Sequence, residues 1–254
     1  MQKKIIVANW KLNGSIKLLH NLLKPITNFV REKKILIKLI IVPPFVYLYP
    51  AYKIVMNTKI MIGAQNVDLH LNGAFTGEIS VSMLNDVNVK YVIIGHSERR
   101  LHHKENNIIV AKKFKIVKDF QLIPILCIGE TENDYNSGMT KQICQHQIDT
   151  IFDSLGEQAF FNTIIAYEPI WAIGSGKIPS LNFIEDICNF IKNYILKRQA
   201  TNKKLFYIQY GGSVNQTNIK DLCKIVEIDG FLIGSASLDF DNFFKILNIL
   251  SFEK

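Results

Sequence analysis

Residues 163–198 read TIIAYEPIWAIGSGKIPSLNFIEDICNFIKNYILKR, and the character of the chain changes twice within them. Thr163–Tyr167 is a short apolar run, as expected of a parallel strand covered on both faces. Glu168 and Pro169 end it, and the glycines Gly174 and Gly176 punctuate the loop that follows. Beyond that loop Ile184, Ile187, Cys188, Ile191 and Ile195 recur at steps of three and four, the spacing of a helix with one buried face. Strand, loop and helix in that order make one β/α unit.

The same alternation extends in both directions. Further strands are expected at Ile5–Trp10, Ile37–Val42, Ile60–Gln65, Tyr91–Gly95, Ile123–Ile128, Leu205–Gln209 and Gly230–Ile233, with a last helix carrying Phe243, Phe244, Leu247 and Leu250. Eight such units in 254 residues match the count and length of a (β/α)8 barrel in the α/β class. A doubly wound open sheet that bound a dinucleotide would carry a glycine-rich fingerprint after its first strand. Here that strand runs into Asn9-Trp10-Lys11-Leu12-Asn13-Gly14. No Pro/Gly/Ser-rich linker divides the chain, so residues 1–254 read as one domain.

Apolar residues make up 48% and charged residues 20%, the balance of a folded globular chain rather than a disordered one. No run of eighteen apolar residues suggests a membrane span, and the apolar run at the N-terminus is too short for a secretory signal. Cys127, Cys144, Cys188 and Cys223 are scattered and the six histidines form no ligand motif, so the expectation is a reducing cytoplasm, no disulfide and no metal. The net charge of +8 admits a nucleic-acid partner, but Lys and Asn are plentiful throughout. Arg31-Glu32-Lys33-Lys34 and Lys112-Lys113 read as solvated helix faces. No nucleic acid and no membrane are therefore expected, while the positive charge would draw anionic substrates.

Chemistry in a barrel sits where strands end. Asn9 and Lys11 follow the first strand. His96 follows the fourth, and Ser97 reads as the cap of the helix after it. Glu168 closes the sixth, placed before a proline and an apolar loop, where a carboxylate suits general-base work. Trp171 with Gly174 and Gly176 reads as a moving lid. Gly211-Gly212-Ser213 and Gly234-Ser235 follow the last two strands, the usual phosphate site of barrels, where glycine lets backbone N–H groups approach an anion.

Those motifs carry a resemblance. VANWKLNG (7–14), GAFTGEIS (73–80), GHSERR (95–100), CIGE (127–130), AYEPIWAIGSGK (166–177), YGGSV (210–214) and DGFLIGSASL (229–238) are similar, in order, to the triosephosphate isomerase family. The resemblance implies a TIM barrel and interconversion of dihydroxyacetone phosphate and D-glyceraldehyde 3-phosphate, without cofactor or metal. It implies Glu168 as the base, His96 as the neutral electrophile, Lys11 as the cation and Asn9 as an orienting group. It assigns the substrate phosphate to N–H groups of Gly174, Ser213, Gly234 and Ser235. It places Glu98 behind Lys11, Ile173 and Leu232 against Glu168, and Glu130, Trp171 and Tyr210 with the lid. It implies a homodimer in which the loop from Asn66 to Glu78 enters the neighbouring subunit, with Thr76 near the other site.

The sequence departs from the family's usual pattern in three places. Ser175 stands where Thr is commoner, Leu12 where Met is frequent, and Ser235 where a second Gly is frequent. None removes a catalytic group. The competing readings are another phosphate-binding barrel enzyme, a sugar-phosphate aldolase or epimerase, and a basic binding protein on a barrel scaffold. A Schiff-base aldolase would want a lysine within a later strand, and strands five to eight hold none.

Overall fold

The computed structural model describes residues 4–32, 37–174, 176–199 and 205–252. Lys33, Lys34 and Ser175 lie outside them, as do the ends of the 1–254 span. Eight parallel strands close on one another in sequence order: β1 (Ile5–Asn9), β2 (Lys38–Val42), β3 (Met61–Ala64), β4 (Tyr91–Ile94), β5 (Ile123–Ile128), β6 (Thr163–Tyr167), β7 (Phe206–Tyr210) and β8 (Gly230–Ile233). Pairing of β1 with both β2 and β8 completes the (β/α)8 barrel.

Helices fill the connections: α1 (Ile16–Leu18), α2 (Lys24–Glu32), α3 (Leu48–Val55), α4 (Val81–Asp86), α5 (Ser97–His102), α6 (Asn107–Asp119), α7 (Glu132–Asn136), α8 (Thr140–Leu155), α9 (Leu181–Arg198), α10 (Ile219–Cys223) and α11 (Phe240–Phe252). In α9 the five periodic residues Ile184, Ile187, Cys188, Ile191 and Ile195 are all buried. Ser180 caps that helix by accepting from Phe183 N–H, which sets where the lid ends.

Two apolar layers result. Ile5, Val7, Ile40, Ile93, Ile125, Ile164 and Ala166 pack inside the barrel, and the alternate residues Ile6, Ala8, Ile41 and Ile165 pack outward under the helices. The period-two alternation of strands thus decides which side chain reaches the mouth. Continuing the inward set one step past Ile5 and Val7 gives Asn9. Past Ile164 and Ala166 it gives Glu168.

All the expected strand limits fall within a residue of the observed ones. The seventh strand is shifted: it starts at Phe206 rather than Leu205 and runs on to Tyr210, which pairs with Tyr167. Tyr210 is therefore a fully buried strand residue, not the start of the following turn. β1 stops at Asn9, one residue short, because Lys11 turns left-handed at φ 51°. Lys113 corrects the solvated reading of Lys112-Lys113: it lies on the buried face of α6 and donates to Glu105 and Asn66.

Candidate active site

A cavity of about 610 Å³ opens at the C-terminal end of the strands. Asn9, Lys11, His96 and Glu168 line it, and Leu232 adds an apolar wall from β8. Gly174, Ser213, Gly234 and Ser235 line the same cavity, with Ile173 of the lid beside them. Glu98, Glu130, Trp171 and Tyr210 stand behind the lining, and Thr76 is exposed in the loop after β3.

Lys11 reaches the mouth through backbone that L-residues enter at a cost of about 1–2 kcal/mol. Two contacts hold it there. Its N–H donates to Asn9 Oδ1 at 3.0 Å, and its carbonyl accepts from Gln65 Nε2 at 2.8 Å. Its Nζ donates to Glu98 Oε1 at 2.6 Å. Burial would raise the Glu98 carboxyl, but the Lys11 hydrogen bond and the positive charge around it together outweigh burial and hold the group below its ordinary value. Both side chains remain partly exposed, so the pair aims the cation rather than stabilising the fold.

His96 itself caps α5, correcting the expectation that Ser97 would. Gly95 at φ 69° breaks the strand alternation and swings the imidazole over the mouth. His96 Nδ1 accepts from Glu98 N–H at 3.3 Å. An accepting Nδ1 fixes the neutral tautomer, with the proton on Nε2. Nε2 in turn lies 3.6 Å from Glu168 Oε1, too far for a hydrogen bond and close enough for both to reach one small substrate.

Glu168 is buried, and its Oε2 makes no hydrogen bond to any described residue. Two glycines make its place. A Cβ on Gly129 would lie 1.9 Å from the Glu168 carbonyl oxygen, and one on Gly211 would lie 2.7 Å from Glu168 Cγ. Cys127 faces it from β5: burial, and then the charge of Glu168, push that thiol up. Sequence reasoning gave Gln65, Cys127 and Gly129 no role in the site, and read Gly211 as part of a phosphate turn without its approach to Glu168. The inward alternation Tyr207, Gln209, Gly211 was the signal available for the last of these.

The lid is tied at its first turn. Trp171 Nε1 donates to Glu130 Oε1 at 2.8 Å, and Tyr167 OH donates to the same carboxylate at 3.2 Å. Burial raises the Glu130 carboxyl, while the Trp171 and Tyr167 hydrogen bonds pull the other way. Tyr135 of α7 packs on the Trp171 ring at 4.4 Å. Ser213 Oγ donates to Ala172 O at 2.6 Å, joining the lid to the turn after β7. Gly174 and Gly176 both carry positive φ, at 65° and 74°. Tyr210 OH lies buried under Gly212, where a Cβ would come within 2.2 Å of it.

Among the described residues no cluster of three or more His, Cys, Asp or Glu side chains is placed to hold a metal ion. None of the described helices is long and apolar enough to cross a membrane.

The fold and this mouth define a (β/α)8-barrel enzyme with a histidine and a carboxylate facing one cavity at the strand exits. Comparison with known proteins narrows the class. A sequence profile described as Triosephosphate isomerase matches residues 4–250. Triosephosphate isomerase of Buchnera aphidicola subsp. Baizongia pistaciae is 60% identical over 250 residues, covering 98% of this chain and 99% of that one. The enzyme of the same name from Buchnera aphidicola subsp. Cinara cedri is 49% identical over 251 residues, 98% of this chain and 99% of its own. That of Blochmanniella floridana is 48% identical over 257 residues, 99% and 97% of the two chains. The chain belongs to the triosephosphate isomerase family.

Proposed function

We propose that this protein interconverts dihydroxyacetone phosphate and D-glyceraldehyde 3-phosphate through an enediolate, with the division of labour set by the cavity. Glu168 takes the proton from the carbon beside the carbonyl and returns it to the neighbouring carbon. His96 Nε2–H polarises the carbonyl and passes protons between the two oxygens. Lys11 supplies the charge that the enediolate and phosphate require, and Asn9 orients the oxygens. A preorganised donor of this kind is worth about 3–4 kcal/mol, and a positioned base about 10²–10⁴-fold. Backbone N–H groups of Gly174, Ser213, Gly234 and Ser235 would take the phosphate, remote from the bond change, so its binding energy can drive closure.

In that closed state Ile173 and Leu232 would press apolar surface on Glu168 and shield the intermediate from water. Glu130 and Trp171 would hold the lid's first turn, and the buried hydroxyl of Tyr210 would receive the closing segment. The reading requires no cofactor, metal, nucleic acid or membrane, and the whole span 1–254 acts as one cytoplasmic domain.

The functional unit in this reading is a homodimer. Leu12 is 97% exposed and Val46 75% exposed, on the loops after β1 and β2. Phe75 and Met83, after β3, are exposed as well. Lys11 O accepts from Gln65, and Gly14 packs on the Tyr47 ring, so these three loops are neighbours. Apolar side chains clustered on adjacent loops fit a second copy, with Thr76 reaching the partner's site.

The observation that carries the enzymatic reading is the 3.6 Å approach of His96 Nε2 and Glu168 Oε1 on the wall of one cavity. The test is triose phosphate interconversion by wild type and Glu168→Gln. Turnover that collapses in the variant supports it. Equal rates in the two, or none in wild type, would overturn it.

A further inference from the structure

Arg100 stands behind the reacting pair. Its side chain turns back from α5 beneath the exits of β4 and β5. Nε donates to Gly95 O at 2.7 Å and Nη2 to Cys127 O at 3.3 Å. Nη1 donates to Asn107 Oδ1 at 2.6 Å, and Asn107 is held in turn by His146 of α8 at 3.1 Å. The two carbonyls are not arbitrary acceptors. Gly95 immediately precedes His96, and Cys127 presents its thiol to Glu168.

The clamp is close as well as bonded. A Cβ at Gly95 would come within 2.9 Å of Arg100 Nη2 and 3.0 Å of both Val110 methyls. Gly95, Cys127, Arg100 and Glu168 also border one void of about 10 Å³ behind the site. A guanidinium is a planar fork whose donors keep fixed relative directions, so acceptors on two strands bound to it share one geometry.

We infer that Arg100 is a positioning residue: by holding the Gly95 and Cys127 carbonyls in one fork, it sets the offset between His96 and Glu168. The inference rests on the function proposed above and adds a residue to it. Arg100 reaches neither the cavity lining nor the turns after β7 and β8. Its loss therefore falls on the proton transfers and leaves phosphate binding alone. Misplacement of about 1 Å at a reacting centre costs on the order of 10²-fold.

The experiment compares Arg100→Lys, which keeps the charge without the fork, and Arg100→Ala, which opens a guanidinium-sized space. Steady-state kinetics, binding of inorganic phosphate and thermal unfolding are measured for each. Arg100→Lys is expected to unfold cooperatively and to lose about 10–10²-fold in kcat, with KM and phosphate affinity within about twofold of wild type. In Arg100→Ala, guanidinium ion at millimolar concentration is expected to restore part of kcat, and urea or sodium chloride is not. A folded Arg100→Lys with wild-type kcat would overturn the inference. So would parallel losses in kcat and phosphate affinity, or rescue by salt equal to rescue by guanidinium. If Arg100→Ala does not fold, Arg100→Lys decides alone. Wild type without turnover fails the functional reading, and the inference falls with it; wild-type turnover lost in Glu168→Gln, alongside an unimpaired Arg100→Lys, fails the inference only.

Discussion

Glu168 is placed by two local facts: the inward alternation of β6 and the glycines that face it. Both make the carboxylate's position sensitive to small changes. Glu168→Asp withdraws the carboxylate by one methylene, and kcat is expected to fall by about 10²-fold with KM little changed. Steady-state kinetics checks this, and a near-wild-type kcat would remove Glu168 from the role of base. Gly211→Ala approaches the same atom from the other side. The added methyl would sit 2.7 Å from Glu168 Cγ, inside any real contact, so the side chain must move. A loss of about 10-fold or more in kcat is expected at unchanged fold, with far-UV circular dichroism as the control. An Ala variant of full activity would show that the carboxylate has room to adjust.

At the scale of elements, α5 and α6 are joined to the loop after β3 through buried charge. Glu105 accepts from Arg99 Nε and from Lys113 Nζ, both at 2.7 Å, and Lys113 also donates to Asn66 at 2.8 Å. Burial would raise the Glu105 carboxyl, but Lys113 and Arg99 hold it below its ordinary value. A carboxyl depressed in the folded state stabilises fully above its unfolded pKa, and that contribution is lost as pH falls through the folded one. Glu105→Gln strands two cations and is expected to cost about 3 kcal/mol at pH 7, since breaking a buried pair typically costs about 3–5. Urea unfolding at fixed protein concentration checks it. The gap to wild type should begin to narrow as pH falls below the ordinary 4.5 of a glutamate and narrow further as wild-type Glu105 takes up its proton. A gap independent of pH would mean the carboxylate charge contributes nothing.

This network also marks where sequence reading ends. The strands, α9 and the residues at strand exits were legible because local alternation and spacing encode them. Asn66, Arg99, Glu105 and Lys113 lie on separate elements, and no local pattern marks Lys113 apart from exposed Lys112. His96 was found, but its role as its own helix cap was not, because that depends on the positive φ of Gly95 rather than on residue type.

At the scale of the whole molecule, the loops after β1, β2 and β3 leave the apolar side chains of Leu12, Val46 and Phe75 exposed. The loop from Asn66 to Glu78 is ordered on itself: Asp68 N–H donates to Ile79 O at 2.9 Å, and the His70 ring stacks on Phe75 at 3.5 Å. His70 Nδ1 and Asp68 Oδ1 lie 2.8 Å apart. A long loop that holds its shape while exposing Phe75 and Thr76 is what the proposed homodimer would require at its interface. Thr76→Arg adds length and charge at its tip. In a homodimer that side chain must be buried against the partner, where an unpaired cation costs more than the interface can return. Sedimentation equilibrium should then give half the wild-type mass at micromolar concentration. The activity of the monomer should fall too, because Leu12 would lose its cover and the left-handed turn at Lys11 beside it would loosen. An unchanged mass would place the exposed loops outside any stable interface and leave Lys11 to be held by Asn9 and Gln65 alone.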